Sequence, residues 1–167
     1  FAHITNYFRN TTFWETHQNL WRVPYSRPGW DSALDYSHQE VRDYTLKLIA
    51  ELFERYDVDG MELDWMRMPK HLRDDRGLED GHFLTEVTRK TREMARSWEK
   101  KRGHRILVSV RVPTHPDNAK GWGMDAVSWA KEGLVDVIVP CNFFNSSDFN
   151  IPYRLWVERT AGTGVRI

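Results

Sequence analysis

Two carboxylates stand one residue apart, at Glu62 and Asp64, in a short segment that is otherwise apolar. Side chains alternate across a β-strand, so the two acids would share one face while Met61 and Leu63 take the other. Their Cα atoms would lie about 6.5–7 Å apart. Glycoside hydrolysis uses such a carboxylate pair as acid, base or nucleophile. Burial of two acids without partners costs free energy, which favours a chemical role for them.

Further polar side chains are predicted at the ends of neighbouring strands. Arg111 shares a face with Ser109 on an apolar strand, Asn142 follows a third apolar strand, and Arg67 comes soon after Asp64. Active sites of parallel α/β folds lie at the carboxyl ends of the strands, so we expect these residues to meet there. The arginines would hold a carboxylate ionised or bind an anionic group, and Asn142 would hydrogen-bond a sugar hydroxyl.

The same residues allow a structural interpretation. A buried ion pair, either Glu62 with Arg111 or Asp64 with Arg67, would tie the strand ends together. We favour the functional interpretation because buried charges without a role are expensive.

Aromatic and histidine side chains near the strand ends are weaker candidates. Tryptophan faces stack well on sugar rings but also fill cores, and Trp65, Trp122 or Phe143 would be the residue that stacks on a substrate ring. His115 lies in the loop after the second strand, where functional side chains concentrate, although a solvated or turn-forming role is the commoner one for such a residue. We include Trp65 and His115 among the predicted substrate-binding residues.

Composition and motifs exclude several functions. The histidines show no metal-binding spacing, and there is no phosphate-binding glycine loop, so no metal or other cofactor is predicted. With 24 basic and 24 acidic residues the net charge is zero, which argues against a nucleic-acid partner. No apolar run approaches the ~18 residues of a membrane span. The single cysteine, Cys141, excludes an internal disulfide and leaves the compartment and oligomeric state open.

The elements that would position these residues alternate between helix and strand from residue 36 to 167. Ser37 is the predicted N-cap of the first helix, with Glu40 completing a capping box. Helices are predicted over residues 37–56, 82–101, 124–132 and 151–160, and strands over 58–64, 106–112, 135–140 and from 164. Residues 1–35 are predicted to form a strand and a long aromatic loop. This order predicts an α/β fold with a parallel sheet, in one domain over residues 1–167.

Three segments in combination carry a family resemblance: residues 30–44, residues 56–69 and residues 129–140. They resemble the bacterial glycosyl-hydrolase-like proteins grouped near glycoside hydrolase family 10, over about residues 30–144. That resemblance implies a (β/α)8 TIM barrel of which this chain is the central part, since eight units need ~200 residues or more. It also implies a catalytic or substrate-contacting role for Asp64 and, more loosely, for Glu62 and Asn142.

The segment Asp-Gly-Met-Glu-Leu-Asp-Trp, residues 59–65, is also similar to the acidic strand of the family 18 chitinases. The last acid of that strand is the general acid, and here Met66 takes its place. This departure argues against the acetamido-assisted chitinase mechanism. It leaves open an inactive relative, or a second acid outside this chain.

The sequence therefore predicts a glycoside hydrolase that acts on a poly- or oligosaccharide, with Asp64 and Glu62 as catalytic residues. The alternatives are a non-catalytic glycan-binding barrel domain and a metal-dependent hydrolase of another bond. Work on polysaccharides would favour a secreted or periplasmic protein.

Overall fold

Four parallel strands form one open sheet in the order β1-β2-β3-β4. The computed structural model describes residues 11–23, 33–66, 69–142 and 148–167, and for residues 2–5 the backbone alone. The strands are β1 (Ala2–Thr5), β2 (Gly60–Asp64), β3 (Leu107–Pro113) and β4 (Val137–Cys141). Each strand pairs with the next one along the chain, so every connection is a crossover that adds one strand to the same side of the sheet.

The register of β2 and β3 separates an apolar face from a polar one. Met61 lies beside Val108 and Leu63 beside Val110, and all four side chains are buried in the core. On the opposite face Glu62 lies beside Ser109, and Asp64 lies beside Arg111. The predicted alternation along β2 is therefore present, and it gathers the polar residues of both strands on one side of the sheet.

Six α-helices and one short 3₁₀ helix (Gln18–Leu20) occur in the described part of the chain. The α-helices are α1 (Thr12–Thr16), α2 (Gln39–Arg55), α3 (Gly77–Arg102), α4 (Pro116–Gly121), α5 (Ala126–Lys131) and α6 (Tyr153–Arg159). α2 and α3 pack against each other and bury Ile49, Phe53, Leu84 and Val87 in the same core as the apolar strand face. Gly103 ends α3 in the left-handed conformation that glycine adopts readily.

Several helix boundaries differ from the prediction for local reasons. His38 rather than Ser37 is the N-cap of α2, because the Asp35 carboxylate accepts a hydrogen bond from the Ser37 main-chain N–H at 2.9 Å and forms the turn before the helix. α3 begins at Gly77, five residues before the predicted start. α1 and the 3₁₀ helix lie within the segment that was predicted to be a long loop.

The prediction of an eight-stranded barrel, with this chain as one part of it, was wrong. The described strands form an open four-stranded sheet whose outer members, β1 and β4, are not paired with each other. Arg166 continues the parallel order through a single bridge to Val137 beside β4. Alternating helices and strands specify parallel crossovers, but the same local pattern builds open sheets as readily as closed ones, and closure needs strands that this sheet lacks.

Candidate functional site

Glu62 is held by side chains of the neighbouring strand. Its Oε1 accepts hydrogen bonds from Arg111 Nη2 at 2.7 Å and from Arg111 Nε at 3.2 Å, and its Oε2 accepts one from Ser109 Oγ at 3.2 Å. The glutamate side chain is 14% exposed and that of Arg111 is 37% exposed. The sheet register explains the contact, because Ser109 lies directly beside Glu62 and Arg111 lies two residues further along the same face.

Asp64 ends β2 and is more deeply buried, at 4% exposure. Its Oδ1 accepts a hydrogen bond from the Met66 main-chain N–H at 2.9 Å, which turns the chain just after the strand. Arg111 Nε lies 3.7 Å from the same oxygen. The Trp65 N–H donates to the Arg111 carbonyl at 3.1 Å, so the pairing of β2 and β3 continues past the aspartate.

Arg111 brings the two carboxylates into one constellation. Its Nε lies 3.2 Å from Glu62 Oε1 and 3.7 Å from Asp64 Oδ1, so these oxygens are at most about 7 Å apart, the sum of the two distances. Burial opposes the charge on Arg111, but its hydrogen bonds to Glu62 and the charges of both acids together raise its pKa above the usual value. The guanidinium is therefore a permanent positive charge between the acids.

An aromatic cluster supports the loop that follows Asp64. Trp65 is 3% exposed and makes edge contacts with Tyr36 and His71 at centroid distances of 5.4 and 5.1 Å. Its buried location leaves almost no indole surface for a sugar ring to contact. The cluster packs at the end of β2, and its hydrogen bond from His71 holds the main chain at Trp65, next to the aspartate.

His71 is a member of this cluster that the sequence analysis did not find. It is 1% exposed, and its Nε2 donates to the Trp65 carbonyl at 2.8 Å, next to Asp64. Burial lowers the pKa of His71 to about 4, although the carbonyl and the charge of Asp64 act in the opposite direction. The imidazole is therefore neutral at pH 7. A lone histidine in a polar loop carries no sequence signal that would have identified it.

Cys141, not Asn142, shares the face of Arg111 on the next strand. β3 and β4 pair with Arg111 beside Val139 and Pro113 beside Cys141, so Cys141 lies on the Arg111 side. Asn142 follows the strand, and its amide donates to the Asp148 carbonyl; in the described part it makes no contact with the acids. Residues one position apart point to opposite sides of a strand, so Asn142 does not share this face.

His115 caps the short helix α4 at the end of β3. Its Nδ1 accepts a hydrogen bond from the Asp117 main-chain N–H at 3.2 Å, and no contact joins it to either acid among the described residues. Arg67 and Phe143, also predicted for the site, lie outside the described residues. The structure thus gathers Glu62, Asp64, Arg111 and Ser109, and places His115 apart.

The described residues contain no cluster of three or more histidine, cysteine, aspartate or glutamate side chains arranged to hold a metal ion. None of the helices in the described ranges combines the length and the apolar character that a bilayer crossing needs.

No protein-family model matches the chain, and no curated protein matches its sequence significantly. The resemblance to glycosyl-hydrolase-like proteins therefore stays a prediction.

Proposed function

We propose that this chain is a glycoside hydrolase in which Glu62 and Asp64 act on a poly- or oligosaccharide. The observation that carries the proposal is the pair of acids on one strand face, with oxygens at most about 7 Å apart and with Arg111 between them. Retaining glycosidases place their two carboxyl groups ~5–5.5 Å apart and inverting ones ~6.5–9.5 Å. This limit on one pair of oxygens is compatible with both classes, and the roles described below are those of the retaining mechanism.

The hydrogen bonds favour different roles for the two acids. Both oxygens of Glu62 accept hydrogen bonds, as an ionised carboxylate does, which suits the nucleophile that attacks the anomeric carbon. Asp64 lies further from the guanidinium and is the candidate proton donor to the leaving oxygen. In the second step water would attack the glycosyl-enzyme bond, and the same aspartate would take the proton of that water.

The test is hydrolysis by Glu62→Gln and Asp64→Asn across a panel of polysaccharides, with Asp59→Asn as the matched control. Asp59 is exposed just before the opposite end of the same strand. Catalytic acid or base groups contribute ~10²–10⁴-fold, so we expect both site variants to lose at least about a hundredfold in kcat/KM and the control to keep its activity. On dinitrophenyl glycosides, whose leaving group needs no proton, Asp64→Asn should recover much of its rate while Glu62→Gln should not.

Activity of both site variants within about tenfold of the unaltered chain would reject the proposal. One observation favours a second function, a glycan-binding protein without catalysis: Arg111 and Ser109 already satisfy Glu62 from within the sheet. That alternative predicts saccharide binding without turnover, and binding that survives in both acid variants.

A further inference from the structure

A groove with a volume of about 280 Å³ lies between the loops that follow β2 and β3. One wall is formed by the chain from Lys70 to Asp75 together with Gly77, and the other by Asp117, Asn118, Gly121 and Trp122. Pockets for drug-sized ligands begin at ~300 Å³, so this groove suits one small ring rather than a larger molecule. His71 joins it to the acids, because this residue lines the groove and also donates to the carbonyl next to Asp64.

Close backbone contact with the start of α3 fixes the position of the wall that carries Trp122. A Cβ atom on Gly77 would clash with the main-chain oxygen of Gly121 and lie 2.8 Å from Trp122 Cα. One helical turn later, a Cβ atom on Gly81 would lie 2.9 Å from Gly123 Cα. The first turns of α3 therefore lie directly against the turn that carries the tryptophan. Trp122 remains 40% exposed in this position.

The basic residues of the groove, and the acid Asp74, are already paired within the protein. Asp74 accepts from Arg22 at 2.9 Å and from Lys70 at 3.1 Å. Arg73 donates to the buried Asp35 at 3.1 Å. These pairs leave the groove without an unengaged cation among the described residues, so an anionic ligand such as a phosphate would find no charged partner.

On the opposite wall Asp117 is also paired within the protein. Asp117 is held by both terminal nitrogens of Arg159, and this contact lowers the pKa of the aspartate. Two exposed polar side chains of the groove have no hydrogen-bond partner among the described residues. These are Asp75 on the first wall and Asn118 on the second. Asp75 has a positive φ of 61°, which costs free energy for a residue other than glycine and is common at functional sites.

We propose that this groove binds one neutral sugar ring of a carbohydrate chain, with Trp122 as the stacking surface and Asn118 and Asp75 as partners for hydroxyl groups. An aromatic face combined with a few polar groups is suited to a pyranose, which is apolar on its faces and polar at its rim. An amide both donates and accepts, and a carboxylate accepts, so the two side chains match a ring of hydroxyls. This inference rests on the proposed function only for the substrate class, because it concerns binding and not cleavage.

The experiment measures binding by calorimetry and by NMR titration of the tryptophan indole signals. The probes are four neutral hexasaccharides: cellohexaose, xylohexaose, mannohexaose and laminarihexaose. The unaltered chain should bind at least one of them and shift the Trp122 indole signal, which Trp122→Phe identifies. Trp122→Ala should weaken that affinity about tenfold or more, and Asn118→Ala should weaken it severalfold. Tyr153→Ala, which removes another exposed aromatic at 55% exposure, is the control and should change it less than twofold.

Thermal unfolding of each variant shows whether it is folded. If Trp122→Ala does not fold, Asn118→Ala alone tests the inference. Absence of binding by every hexasaccharide, or affinities within twofold in both groove variants, overturns the inference. Binding that is lost in Trp122→Ala while Glu62→Gln and Asp64→Asn remain active would reject the proposed catalytic residues and keep the groove. The reverse pattern would reject the groove alone.

Discussion

Replacement of Arg111 by methionine tests how strongly the two strands are joined at the candidate site. Arg111 gives Glu62 two hydrogen bonds, and a bond to a charged group contributes ~1.5–3 kcal/mol. Exposed ion pairs contribute ~0–1 kcal/mol, whereas breaking a fully buried one costs ~3–5 kcal/mol. With side chains 37% and 14% exposed, this pair lies between those limits. We expect a coupling energy of about 1–2 kcal/mol between the two residues.

The measurement is a double-mutant cycle with Arg111→Met, Glu62→Gln and the double variant. Urea unfolding at pH 7, followed by tryptophan fluorescence, gives the free energy of unfolding of each protein. The control is the pair Arg89 and Glu132, which has the same 2.7 Å distance but side chains 45% and 46% exposed. Its cycle should give about 0.5 kcal/mol or less. A coupling at Arg111 no larger than that of the control would refute the claim that partial burial strengthens the contact.

Two further predictions concern packing and pH. Gly77→Ala should lower the free energy of unfolding by about 2 kcal/mol and the melting temperature by ~4–8 °C, because the added Cβ would meet backbone atoms. The control is Gly121→Ala, whose Cβ would meet no atom within 4 Å. It should be close to neutral in the same calorimetric scan. The hydrogen bond to Asp57 raises the pKa of His104 above 6.5, so its stabilisation should be complete below pH 6.5 and lost as the pH rises through the raised value. Melting temperatures from pH 5 to 9 should therefore differ most between His104→Asn and the unaltered chain at the acid end, and a constant difference over that range would contradict the assignment.

The sequence predicts local features of this fold well and long-range features poorly. The alternation at residues 61–64 correctly placed Glu62 and Asp64 on one face, because a buried strand leaves a period of two in the sequence. The start of α3 was missed because Gly77 looks like a loop residue, and the reason for this glycine is a contact with Gly121 that lies far away in the chain. Closure of the sheet has no local signal at all, so the barrel was inferred from resemblance and was wrong.

For the candidate site, too, local features were predicted well and long-range features poorly. Arg111 was predicted to lie beside the acids from its position on an apolar strand, and the structure places it in contact with Glu62. Asn142 was predicted at the site because it follows an apolar strand, but the structure places Cys141 on the side of Arg111. The hydrogen-bond register with β3, and not the apolar pattern of β4 itself, decides which side chains face Arg111.

The position of Arg111 limits what the acidic pair can do. A permanent positive charge beside two carboxylates suits a nucleophile and a stabiliser of positive charge at the anomeric carbon. It is less suited to a proton donor, which must give up its proton and become charged only during the reaction. Glu62 makes the shorter contacts to the guanidinium, so any proton transfer within this constellation must involve Asp64, which lies 3.7 Å from Arg111 Nε and is almost fully buried. The response of Asp64→Asn to the leaving group is therefore the measurement that separates a complete hydrolytic pair from a carboxylate site that requires a further acid.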